Sequence, residues 1–213
     1  MRTLYIFCII GAISLASCGH ARLQDNNLSG ASTEELIRLL EDIGDSSGLF
    51  VDVIGELEAR GPAASEAAPA LARALAYNRR DSTIASRPLV AMGPSARLAI
   101  PILLENLGSQ REDVRRNSAF VLGIIGESSQ CAVPELASLL WDQDSGVRSV
   151  AAAALQAITG EILVESTQEL DPSLPGSVFL DEPEGNISGK AREWWLISGH
   201  DMDWPTGNCE LPK

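Results

Sequence analysis

The run Asp113-Val114-Arg115-Arg116-Asn117-Ser118-Ala119-Phe120-Val121-Leu122-Gly123-Ile124-Ile125-Gly126, followed by Cys131-Ala132-Val133-Pro134-Glu135-Leu136-Ala137-Ser138-Leu139-Leu140, decides the fold. Apolar residues at 114, 118/119, 121/122 and 125 recur with the period of a helix. Gly126 supplies the stop, because a residue just past a helix readily takes positive φ. Pro134 sits in the first turn of a second helix, where no backbone donor is lost. The stretch therefore reads as one unit: a first-type helix that ends at a glycine, then a second-type helix that begins near a proline.

The same frame repeats. Gly61, Gly93 and Gly126 are 32 and 33 residues apart, and Pro69, Pro101 and Pro134 follow each glycine by eight. A fixed period in the thirties marks stacked helical pairs. Leu49 to Gly61 with Ala67 to Leu75 makes the first full unit, and Ile84 to Gly93 with Leu98 to Leu107 the second. Pro88 falls inside the first helix of that second unit, where its ring should clash with the Ile84 carbonyl and kink or shorten the helix. A last first-type helix runs from Gly146 through Ile158 towards Gly160. Thr33 to Leu40 matches the second helix of an incomplete unit, capped by Ser32 or Thr33 with Glu34 and Glu35 near its start. No unit buries its apolar face alone, so the expected fold is all-α, a right-handed superhelical solenoid over residues 32–160.

By likeness to related solenoids, the second-type helices are expected to line the concave face. The fourth residues after their prolines are Arg73, Glu105 and Ser138, with Tyr77 and Trp141 just beyond the helix ends. A polar ladder flanked by two aromatics suits a protein or peptide partner, since aromatics are frequent interface anchors. Packing beneath the inter-unit turns is the other reading of Tyr77 and Trp141.

These units resemble HEAT-type repeats, in particular the short variety also found in phycobilisome lyases. The likeness rests on Asp113-Val114-Arg115 to Gly126, on Ala132-Val133-Pro134-Glu135-Leu136, and on Asp142-Gln143-Asp144-Ser145-Gly146-Val147-Arg148 with Ala152-Ala153-Ala154-Leu155. It implies that Arg115 and Arg148 pair with Asp113, Asp142 or Asp144 and set the register between units. Ordinary solvated charges are the alternative. The resemblance also raises a bilin-lyase-like chromophore-handling factor as a second functional class, although those lyases act inside the cell; a purely structural envelope protein, serving spacing or assembly, is the third.

The chain opens Met-Arg-Thr, continues apolar from Leu4 to Leu15 and reaches Ser17-Cys18. One basic residue, a short apolar core and small residues read as a secretory signal peptide over 1–17. Leu15-Ala16-Ser17-Cys18 resembles the lipobox of bacterial lipoproteins, which implies cleavage before Cys18 and lipid on that residue. An ordinary signal peptide ending by chance at a cysteine is the alternative. Several acyl chains would anchor the protein firmly, at about 0.8 kcal/mol per buried methylene. Residues 18–31 then form a polar tether. Gly19 stands where family sorting would place an aspartate for inner-membrane retention, so the outer membrane or the cell surface is the expected location.

Formal charge is −13 for the 213 residues, and loss of Arg2 with the signal makes it −14. Such a chain should be repelled by nucleic acid and by anionic lipid. Removing Cys8 with the signal and lipidating Cys18 leaves Cys131 and Cys209, which could pair in an oxidising compartment or remain thiols. No phosphate loop, nucleophile elbow or metal-ligand spacing is found, and the two histidines, His20 and His200, lie off the repeats. Asp142, Asp144 and Ser145 read as a helix-capping turn, not a calcium loop. No catalysis, cofactor or metal is expected.

Residues 161–213 form a tail with 11 acidic and 3 basic residues. Within it Lys190 to Ile197 reads as a helix of two turns, carrying Trp194 and Trp195 with Trp204 beyond. Folding back of Trp194, Trp195 and Leu196 to cap the open end of the stack is expected, because repeat arrays need caps. The sharper reading makes these tryptophans anchors for a partner or a glycan.

Overall fold

A computed structural model describes residues 28–42, 48–77, 82–163 and 187–205. Residues 1–27, where a signal peptide, a lipidated Cys18 and a tether are expected, lie outside the described residues, as does Cys209. In chain order the α-helices are α1 (Thr33–Asp42), α2 (Gly48–Arg60), α3 (Ala68–Tyr77), α4 (Ser82–Met92), α5 (Ile100–Leu107), α6 (Glu112–Ile125), α7 (Val133–Ser138), α8 (Ser145–Thr159) and α9 (Ile187–Ile197). Among the described residues there is no strand.

The local signals work as their chemistry dictates. Gly61, Gly93, Gly126 and Gly160 all take positive φ, from +52° to +77°. After each of the first three, a 3-10 stretch (Gly61–Ala67, Gly93–Ala99, Gly126–Ala132) turns the chain into the proline-bearing helix. Ser32 caps α1 in a reciprocal box: its Oγ accepts the Glu35 amide at 3.2 Å, and Glu35 Oε2 accepts the Ser32 amide at 2.8 Å. Asp144 caps α8, its Oδ1 accepting the Val147 amide at 2.8 Å, which is the capping role expected of that turn.

Pro88 does not break its helix, but at 11 residues this helix is the shortest of the glycine-ended ones, against 13, 14 and 15, as the expected shortening requires. Helix α4 runs unbroken from Ser82 to Met92 with the proline inside. The ring is buried, so its packing offsets the lost hydrogen bond. By length and composition, Ser82–Leu107 could cross a bilayer. Gly93 at φ +57° divides it into α4 and α5, and both bury residues in the stack.

Two expectations change once the helices are packed. The close antiparallel partner of each proline-bearing helix is the glycine-ended helix that follows it, giving hairpins α1–α2, α3–α4, α5–α6 and α7–α8. The half-unit expected at each end disappears, since α1 and α8 complete the first and last hairpins. The second change concerns curvature. The row α2, α4, α6, α8 packs closely along its length, while α1, α3, α5, α7 meet over fewer residues. At α6 against α8 the approach is closest: a Cβ at Gly123 would lie 3.0 Å from Ala154 Cα. A stack bends towards its more tightly packed row. By this closer packing we take α1, α3, α5 and α7 as the outer row and not as the lining of a concave face.

One core runs through all four hairpins. Leu36, Ile54, Leu57, Leu71, Leu89, Leu103, Leu122, Leu136 and Leu140 are fully buried in it, each contributing about 1.5–3 kcal/mol. It begins earlier than expected. Leu28 is 4% exposed, and Arg60 donates to the carbonyls of Leu28 and Ala31 at 3.3 and 2.7 Å. Residues 28–31 thus belong to the stack and not to a tether.

At the other end α9 covers α8 and α7. Ala191 is fully buried, and Trp194, Trp195 and Trp204 are partly buried against the core. Leu196, expected in the cap, is instead 64% exposed. It lies near the end of α9, past the turn that carries Ala191 onto α8. Arg192 does the anchoring that its neighbour does not, donating from Nε to the Leu140 carbonyl at 2.7 Å.

Candidate partner-binding face

The outer row presents the ladder residues to solvent. Arg73 on α3, Glu105 on α5 and Ser138 at the end of α7 are all exposed. Arg73 pairs with Glu41 of α1 at 2.7 Å, both side chains being nearly half exposed. Glu41 lies 32 residues before Arg73, so it is the first rung of the same ladder. The sequence reading missed it because it counted forward from a proline, and α1 has none. The signal was the spacing from Arg73 itself. Ser138 is less available than a free hydroxyl, since it donates to the Glu135 carbonyl at 2.6 Å.

The two aromatics sit at helix ends and stay open. Tyr77 closes α3 at 74% exposure, which rules out burial beneath a turn. Trp141 ends the short 3-10 turn after α7 at 49% exposure. The Arg192 guanidinium carbon lies 5.8 Å from its ring centroid, a cation–π contact. Among the described residues these are the exposed aromatics. Cys131 is disulfide-bonded, and its partner lies outside the described residues. Both Cys18 and Cys209 lie there too.

Behind this face, polar stitches hold the rungs in place. Asn106 on α5 donates to the Ala72 carbonyl of α3 at 2.9 Å. Asn117 of α6 donates to Ser82 Oγ of α4 at 2.6 Å, and Ser82 donates to Asp113 at 2.8 Å. Arg115 grips Asp142 with two bonds of 2.7 Å and also donates to the Ser109 carbonyl at 2.8 Å. This is the pairing implied for Arg115. Arg148 behaves differently, donating to the carbonyls of Asp142 and Gln143 in its own turn at 3.1 and 3.2 Å.

Electrostatics follow from these contacts. Burial alone would raise the Asp142 carboxyl. Hydrogen bonds from Arg115 and the Asp144 amide, with the charges of Arg115 and Arg148, outweigh it and hold the group below the usual carboxylate range. Burial likewise opposes ionisation of Asp113, and hydrogen bonds from Arg111 and Ser82 overcome it. The bond to Asp142 raises Arg115 further. These are structural ion pairs within the turns. Among the described residues no group of His, Cys, Asp and Glu is placed to hold a metal ion.

No curated protein matches the chain. Residues 98–174 match the family model described as HEAT repeats. That span contains α5 to α8, so this part of the stack of hairpins is similar to HEAT repeats, which typically form helical scaffolds for protein interaction.

Proposed function

We propose that the protein is an exported scaffold, held by lipid at Cys18 in a bacterial cell envelope, that binds a protein partner and catalyses no reaction. The observation that carries the binding reading is the exposure of Tyr77 and Trp141 on the outer row, beside the ladder Glu41, Arg73, Glu105 and Ser138. Exposed aromatics on a preformed helical surface offer large contact area at low entropic cost. The anchor reading rests on the amino-terminal sequence and on the polar residues between Cys18 and Leu28, which leave room between bilayer and stack. An outer-membrane or surface location fits the Gly19 that follows the cysteine.

Intact-mass measurement of the membrane-extracted protein tests the anchor. The expected product begins at Cys18 and carries diacylglyceryl and acyl groups; a chain beginning at Met1, or at an unmodified residue 18, refutes it. Photocrosslinking from Tyr77 in intact envelopes tests the binding reading. A discrete adduct with one envelope protein is expected, and adducts no more abundant than those from Pro62, on the first 3-10 turn, refute it.

A further inference from the structure

We infer that the outer row docks a basic segment of the partner, an inference that rests on the scaffold reading above and names the chemistry of its ligand. The argument starts from how the fold uses its positive charges. Among the described residues every arginine except Arg97 is held by a carboxylate or a carbonyl. Most of these contacts tie one hairpin to the next or to an end of the stack. Arg73 reaches Glu41, Arg87 reaches Glu58, Arg115 reaches Asp142, and Arg192 reaches the Leu140 carbonyl. Apart from Arg97, exposed on the 3-10 turn Gly93–Ala99, these arginines are occupied by contacts within the protein.

The carboxylates are not all matched. Asp42, Glu105 and Glu135 are exposed on α1, α5 and α7, and their side chains make no ion pair or hydrogen bond with any described group. An acidic segment arriving on this row would meet those charges and would have to break the Arg38–Glu34 or Arg73–Glu41 pair to find a cation. A basic segment meets free carboxylates and breaks nothing. Like charges set opposite each other across an interface are costly, so the asymmetry selects the sign of the partner.

The aromatics point the same way. On this row the fold itself sets a cation against an exposed ring, the guanidinium of Arg192 on Trp141, and so takes that face of Trp141. Tyr77 offers a second ring with most of its surface open. Lysine or arginine side chains can lay their stems on such rings while their charges reach nearby carboxylates. The ligand is thus a peptide segment rich in lysine or arginine with apolar residues between them.

Two measurements test this. A photocrosslinking residue is placed in the full exported chain at Glu105 on the outer row and, separately, at Ala91 on the inner row. The expected result is an adduct from position 105 whose crosslinked peptide, sequenced by mass spectrometry, carries net positive charge. A neutral or acidic peptide overturns the inference, as does an adduct from position 91 alone, which leaves the scaffold reading standing. No adduct from either position sinks both.

In the second measurement, a labelled lysine–leucine peptide is titrated into the purified full chain. Asp42→Asn/Glu105→Gln/Glu135→Gln should weaken binding about tenfold, three exposed charges being lost at once. Asp52→Asn/Glu112→Gln, on the inner row, should leave binding within about twofold. Equal loss in both variants means that the peptide senses only the overall charge, and overturns the inference.

Discussion

Between α6 and α8 the backbones themselves meet, with Gly123 against Ala154, and the neighbouring turn is locked by Arg115 on Asp142 with side chains only 15% and 9% exposed. Between α2 and α4 the corresponding ion pair joins Arg87 to Glu58, with side chains 45% and 30% exposed. Both seams follow the same period, yet one is built from close contact and desolvated charge and the other from a wet surface pair. A repeat frame fixes where helices lie, and the residues at each seam decide how firmly neighbours are joined. The HEAT match at 98–174 covers the firmer seam and leaves out the looser one.

The largest break in the comparison should come from Leu122→Asp, on α6 at the firm seam. Leu122 is fully buried, so an unpaired charge there should cost more than the about 2–5 kcal/mol of a large-to-small truncation. That approaches the about 5–15 kcal/mol that stabilises a typical domain. Circular dichroism during heating should show the sharp transition replaced by a broad one starting near room temperature.

Asp142→Ala should be milder, about 1–3 kcal/mol by urea titration, because it leaves the Arg115 guanidinium and the Asp144 amide without their acceptor. It should also change the acid response. A carboxyl held low in the folded state adds stability above its unfolded value of about 4. That stability is lost as pH falls through the folded value. The wild-type chain should therefore lose stability below about pH 4 more steeply than the variant, which keeps the contribution of Asp113 and lacks that of Asp142.

Arg87→Ala at the loose seam should cost less than about 1 kcal/mol and respond to salt, as a solvent-screened pair does. Should it cost as much as Asp142→Ala, the distinction between the two seams fails.

Much of this fold was legible in the sequence because its signals are local. Helical spacing in 113–125, the four glycines at positive φ and the prolines in first turns all act within a few residues of themselves. The phase of the hairpins was not legible. A repeat cut after the proline helix or before it has the same period, and only packing shows that α3 closes on α4. The direction of bending stayed hidden for a related reason: amphipathic spacing says which side of a helix is buried, not how near the next helix comes. Gly123 was the available clue, a small residue where two helices touch.

At the candidate face the rungs Arg73, Glu105 and Ser138 were found by spacing, and Glu41 was lost only for want of a proline before it. Arg115 found the partner its motif implied, whereas Arg148, in the same motif, donates to the Asp142 and Gln143 carbonyls beside its own helix. Leu196 was grouped with the capping tryptophans by adjacency, although α9 turns it to solvent.

All four tryptophans of the chain, at 141, 194, 195 and 204, gather at the carboxyl-terminal end, where Trp194 lies 6.0 and 6.2 Å from its two aromatic neighbours. Tryptophan emission therefore reports on that end and not on α1 through α6. Far-ultraviolet ellipticity weighs every helix alike. If the loose seam parts before the firm one, the two spectroscopic signals will lose amplitude at different denaturant concentrations, and their separation will measure how independently the halves of the array melt.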